Sequence, residues 1–178
     1  MPLESGRTII SIGAFPGLRK DWPKDVFVHE EAVYAAQQLS SFFSSVRVEH
    51  AYVLDTDPGA DQVPLLEICI GGPGVNKRTA DYVRSFCQPL LASSPKHDAV
   101  IVKITRPLAP SRGSRGIVLL YGNVAFDTKA AIWYFCRNFF ALIRRELRVP
   151  NNVLYLKTHK DVGVHATELV GTSAGASS

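Results

Sequence analysis

In ICIGGPGVNKRT, residues 68–79, an apolar run stops at Gly71, Gly72, Pro73 and Gly74, and a helical pattern opens at Asn76 with Lys77 and Arg78 behind it. These residue types suit one task, holding negative charge. Glycines allow a close backbone approach and unusual dihedrals. Unpaired N–H groups and the dipole at a helix start favour an anion, and Lys77 adds a formal charge. The stretch is neither common phosphate loop, because GxxxxGK[ST] is missing and Pro73 and Val75 break GxGxxG. The same residues also fit a plain glycine turn closed by an asparagine cap.

A second strand-to-helix junction, YGNVAFDT, offers Gly122, Asn123, Asp127 and Thr128. Asp127 is a strong N-cap type. Its charge would compete with a phosphate at the same helix start, so this loop suits hydroxyls, an amine or a metal-bound water. A nucleotide or sugar phosphate would satisfy both loops if they converge. Its anionic part would lie on Gly71, Gly72, Pro73, Gly74, Asn76 and Lys77, and the rest on Gly122, Asn123, Asp127 and Thr128. No catalytic residue and no cofactor stand out.

The remaining chemistry is sparser. There is no GxSxG elbow and no HExxH, and the five histidines, His29, His50, His97, His159 and His165, lack metal-ligand spacing, so no metal site is expected. Glu67 interrupts LLEICIGG as a candidate carboxylate or as a polar-face residue. Cys69 reads as a small buried hydrophobe. His29–Glu31 reads as an acid/base pair or an acidic helix start. Asp21, Trp22 and Asp25 sit in a long loop of the kind that covers sites. Arg137, Arg144 and Arg148, with Arg145 beside them, form a basic stripe that fits a solvated face, phosphates or a partner.

Periodicity supplies the elements that must position these groups. Strands are expected at 8–15, 46–54, 65–70, 99–104, 117–121 and 153–156, and helices at 26–45, 75–91 and 127–147. Alternating helices and strands mean an α/β domain with a mostly parallel or mixed sheet of about six strands and three main helices. The strands flanking Pro107–Gly113 fit an antiparallel hairpin.

At 178 residues, 46% hydrophobic and 20% charged, the chain suits one folded domain, expected over 1–170 with a disordered tail at 171–178. A net charge of +4 permits anionic partners but is too thinly spread for a dedicated nucleic-acid binder. Three cysteines without zinc spacing suggest free thiols in a reducing compartment. No signal-peptide pattern and no membrane-length apolar window occur. The expected location is cytoplasmic, with no membrane partner; nucleic-acid binding through the arginines of RPLAPSRGSRG and the last helix stays open as the weakest alternative.

The two junction blocks also resemble the IGGPxxNxxT and G-x4-DT blocks of Rossmann-like domains. Such domains occur in archaeal surface-layer-related proteins and in actinobacterial regulatory proteins, beside helix-turn-helix or signalling ATPase modules. The resemblance spans Leu65 to Phe135, about two-fifths of the chain. It implies a Rossmann-like three-layer sandwich with a ligand pocket, and it supplies no reaction. Phe126 stands where the family has a small residue, which would narrow or fill a pocket. The function expected is binding of a nucleotide or related anionic small molecule at the C-terminal edge of the sheet, as a sensor or a weak hydrolase or transferase. The rival is a non-enzymatic protein-interaction module that uses the third helix.

Overall fold

A computed structural model describes residues 8–16, 26–56, 66–87, 96–107, 114–144 and 150–173. The strands are β1 (Thr8–Ile12), β2 (Ala14–Pro16), β3 (Val26–Val28), β4 (His50–Leu54), β5 (Leu66–Ile70), β6 (Ala99–Pro107), β7 (Ser114–Gly122), β8 (Asn152–Lys157) and β9 (Glu168–Thr172). The helices are α1 (Glu30–Ser45), α2 (Lys77–Tyr82), which runs into a π-helical turn at Val83–Cys87, and α3 (Ala125–Arg144). Asp21, Trp22, Asp25, Arg145 and Arg148 lie outside the described residues.

The main sheet has seven strands, not six, in the order β4-β1-β5-β7-β6-β8-β9, and β2 and β3 form a separate two-stranded ribbon. β4, β1, β5 and β7 are parallel neighbours. β6 runs antiparallel to β7 and β8, as the hairpin expectation required, and β9 pairs antiparallel with β8. The sheet is therefore mixed, and the architecture is α/β and Rossmann-like.

Alternating side chains explain the layers. Ile10, Ile68, Ile70, Ile101, Val118, Leu120 and Leu154 pack under α1 and α3 against Leu39, Phe43, Ile132 and Phe135. On the opposite face Cys69, Val102, Ile104, Ile117, Leu119 and Val153 meet Tyr82 and Cys87 from α2 and its π turn. The strands are nearly continuous apolar runs because both faces are covered.

Several boundaries moved for identifiable reasons. The first helix, expected from Val26, begins at Glu30, since Val26–Val28 pairs with Ala14–Pro16. The second, expected to begin at Val75, starts at Lys77 because Asn76 caps it, its side chain accepting from the Thr79 N–H. β4 starts late because α1 ends in a left-handed Arg47 at φ 58°, a position glycine usually takes. β9 crosses the boundary expected at residue 170, and the Ser173 hydroxyl ties it to β8 by accepting from Val153 N and donating to Asn152 Oδ1. Among the described residues no helix is long and apolar enough to cross a membrane.

Candidate functional site

β5 and β7 lie side by side, with Ile70 opposite Leu120, so both glycine-ended loops leave the same edge of the sheet. The Gly71 N–H donates to Leu120 O at 3.0 Å, and a methyl on Gly72 would sit 3.5 Å from the Tyr121 ring. β1 and β5 are neighbours whose outgoing connections run to opposite sides of the sheet, from β1 to β4 and from β5 toward β6 and β7. In open α/β sheets that switch point, at the carboxyl ends of the strands, is where ligands gather.

The first loop is built around Gly71 and Asn76. Gly71 has φ +96°, a left-handed conformation that favours glycine. Val75 N and Asn76 N both donate to Gly72 O, closing the turn. Asn76, 1% exposed, joins three elements. Its amide donates to Ser11 O at 3.2 Å and Ile70 O at 3.0 Å, while Oδ1 accepts from Thr79 N. The Lys77 N–H donates to Asp55 Oδ2 at 2.7 Å. A carboxylate of the chain itself therefore meets the α2 terminus where the sequence suggested an external anion. Pro73, Gly74 and the Lys77 side chain remain exposed, and space around Gly74 is open. Next to this junction, the Ser11 and Thr79 hydroxyls are buried without a hydrogen-bond partner.

The second loop differs from expectation at Asp127. The helix begins at Ala125, so Asp127 occupies its first turn and not the N-cap. It is 1% exposed and accepts from Thr158 Oγ1 at 2.8 Å, with Lys160 Nζ at 3.8 Å. Thr128 is buried, and its hydroxyl accepts from Gly122 N at 3.1 Å. Asn123 is exposed, its N–H donating to Asp98 O. Asn76, Asp127 and Thr128 therefore shape the loops from inside, while Gly72, Pro73, Gly74, Lys77, Gly122 and Asn123 form the surface a ligand would meet. Phe126 is half-buried.

Sequence reasoning missed the groups that support the second loop. β6 runs against its neighbours, so its entry residue Asp98 reaches the same rim as the exits of β7 and β8. Asp98 Oδ2 meets Lys157 Nζ at 2.8 Å and Thr158 N at 3.0 Å. Thr158 thus bridges Asp98 and Asp127. The hydrogen bond from Lys157, followed by the one from Thr158 N, holds the Asp98 carboxyl below its ordinary pKa. A lowered folded-state pKa stabilises the protein above the unfolded value and loses that contribution as pH falls through the folded one. Wild-type melting temperature should therefore fall on acidification below about pH 4, and Asp98→Asn should flatten that limb of the profile.

The other candidates are accounted for locally. His29 is the α1 N-cap without a side-chain cap bond, Glu30 pairs with Lys129, and Glu31 is buried. His159 meets Glu168 at 3.2 Å. Burial, then the Glu67 charge, pushes the Cys69 thiol well above its usual pKa, so Cys69 stays a protonated core residue. All three cysteines are free. A cavity of about 500 Å³ lined by Arg47, Val48, Glu49 and His50 lies at the opposite rim. No group of three or more His, Cys, Asp and Glu side chains is placed to hold a metal ion among the described residues.

Glu67 is fully buried beneath α2. Its Oε1 accepts from Arg78 Nε at 2.5 Å, and its Oε2 accepts from Tyr82 Oη at 2.7 Å. Arg115 Nη2 donates to the same Tyr82 oxygen at 3.2 Å. Burial, then the Glu67 charge, raises the Tyr82 pKa, keeping the phenol a donor. The geometry makes Glu67 an internal anchor for α2. Compared with protein-family models and with curated proteins, the chain matches none.

Proposed function

We propose that the protein binds a nucleotide or related anionic small molecule at the carboxyl rim of the parallel strands, as a sensor or a slow hydrolase or transferase. The observation that carries this reading is the parallel pairing of β5 and β7, which brings their glycine loops out together beside the switch point. Exposed Lys77 and Asn123 supply a cation and an amide on either side. The unpartnered hydroxyls of Ser11 and Thr79 add support, because buried polar groups without partners are uncommon in folded proteins. The anion would meet the Lys77 ammonium and loop backbone, since Asp55 already takes the Lys77 N–H.

Thermal melting against a nucleotide panel tests this. A ligand at 100 times its Kd should add about 2.7 kcal/mol, raising Tm by roughly 5–10 °C. Lys77→Ala should melt like wild type alone and lose most of that gain. A panel that leaves wild type unmoved would sink the reading. One feature favours the interaction module instead: Phe140 on α3 is 62% exposed. Association abolished by Phe140→Asp, together with a silent panel, would shift the assignment to that class.

A further inference from the structure

At the rim opposite the loops, the β6–β7 register sets Arg106 directly across from Arg115. The column above this rung is apolar, Ile104 with Ile117 and then Val102 with Leu119, and all face α2. Strand alternation puts both guanidinium groups on that face too. Like charges directly opposite one another destabilise an antiparallel pair. Both residues are half-buried, which weakens solvent screening of their repulsion.

Among the described residues neither arginine forms an ion pair with a carboxylate. Glu67 is already engaged by Arg78 and Tyr82. Residues 99–126 contain no Asp or Glu but carry Lys103, Arg106, Arg112 and Arg115. The guanidinium carbon of Arg106 lies 4.4 Å from the centre of the Phe86 ring. Such a contact uses the flat face and leaves the N–H edge available. Arg115 commits one N–H to Tyr82 Oη, out of the five a guanidinium carries.

We propose that Arg106 and Arg115 form a binding site for a phosphomonoester dianion, separate from the loop site and on the opposite rim. Two planar forks suit the oxygens of one phosphate group. A dianion matches the two cations, whereas a carboxylate or a phosphodiester would leave one charge uncompensated. The ligand would relieve the repulsion built into the hairpin.

NMR of the arginine Nε–H signals during titration with inorganic phosphate tests the site. Two signals, assigned by substitution to Arg106 and Arg115, should shift saturably. Arg106→Gln should weaken binding roughly tenfold or more, and Arg115→Gln should do the same. Among the described residues the Arg106 guanidinium lies over the Phe86 ring and braces no helix through a hydrogen bond, so Arg106→Gln should fold and melt no lower than wild type, which keeps the test valid if Arg115→Gln loosens Tyr82. Lys77→Ala should bind phosphate here like wild type, so this site and the loop site fail independently. An oligonucleotide with a 5′-phosphate should compete, and its dephosphorylated counterpart should not. Equal competition by both would overturn the monoester assignment. Non-saturable shifts, or unchanged binding in Arg106→Gln, would overturn the site.

Discussion

A single methyl at position 13, introduced as Gly13→Ala, should cost about 4 kcal/mol or more and lower Tm by roughly 10 °C. The added carbon would lie 1.7 Å from the Val75 carbonyl oxygen and 2.7 Å from its carbon. Those are backbone atoms, so no rotamer change relieves the clash. The loop cannot retreat cheaply, because Asn76 grips Ser11 O and Ile70 O. Pushing it away unmakes both bonds and the cap on α2. Gly74→Ala is the matched control. Nothing lies within 4 Å of its added methyl, and its φ is not left-handed, so stability should stay within about 0.5 kcal/mol. Equal melting of the two variants would mean that the loop does not press on β1.

Glu67→Ala should destabilise by about 3–5 kcal/mol, since it strands a guanidinium and a phenol that the carboxylate had satisfied. Arg78 is only 14% exposed and cannot turn to water without lifting α2. Replacing Glu67 and Arg78 together by leucine should cost less than the sum of the two single changes, because the pair is removed as a unit. Additive losses in denaturant melts would show that the ion pair does not hold the helix down.

Local pattern reveals what sequence neighbours settle and hides what distant residues supply. The apolar runs of β5 and β7 ended at glycine with capping residues close by, so both strand-to-helix junctions were readable. β9 was not, because ELVGT is short, alternates between half-buried and exposed, and precedes a small polar tail. Asp127 was misread as a cap because a carboxylate in the first turn and one at the cap follow similar sequence rules. Its partner Thr158 lies 31 positions away, as invisible to local pattern as Asp55 is to Lys77. Glu67 was flagged as unusual, but its role depends on Arg78 and Tyr82, which reach it from a helix 11 and 15 positions along the chain. The two loops were legible as strand-to-helix junctions, and so were the types of Asn76, Asp127 and Thr128, but their distant partners Ser11, Asp55, Asp98 and Thr158 were not.

The mixed sheet also bears on the order of assembly. β6 and β7 are joined by a short hairpin, whereas β1 must find β4 across a helix and β5 from still farther along the chain. Contacts between chain neighbours form at a lower entropic cost than distant ones. The antiparallel half is thus the natural nucleus, and the rim that gathers the glycine loops is completed only when the remote crossovers dock. Half-made protein would present the arginine hairpin before it presents the paired glycine loops.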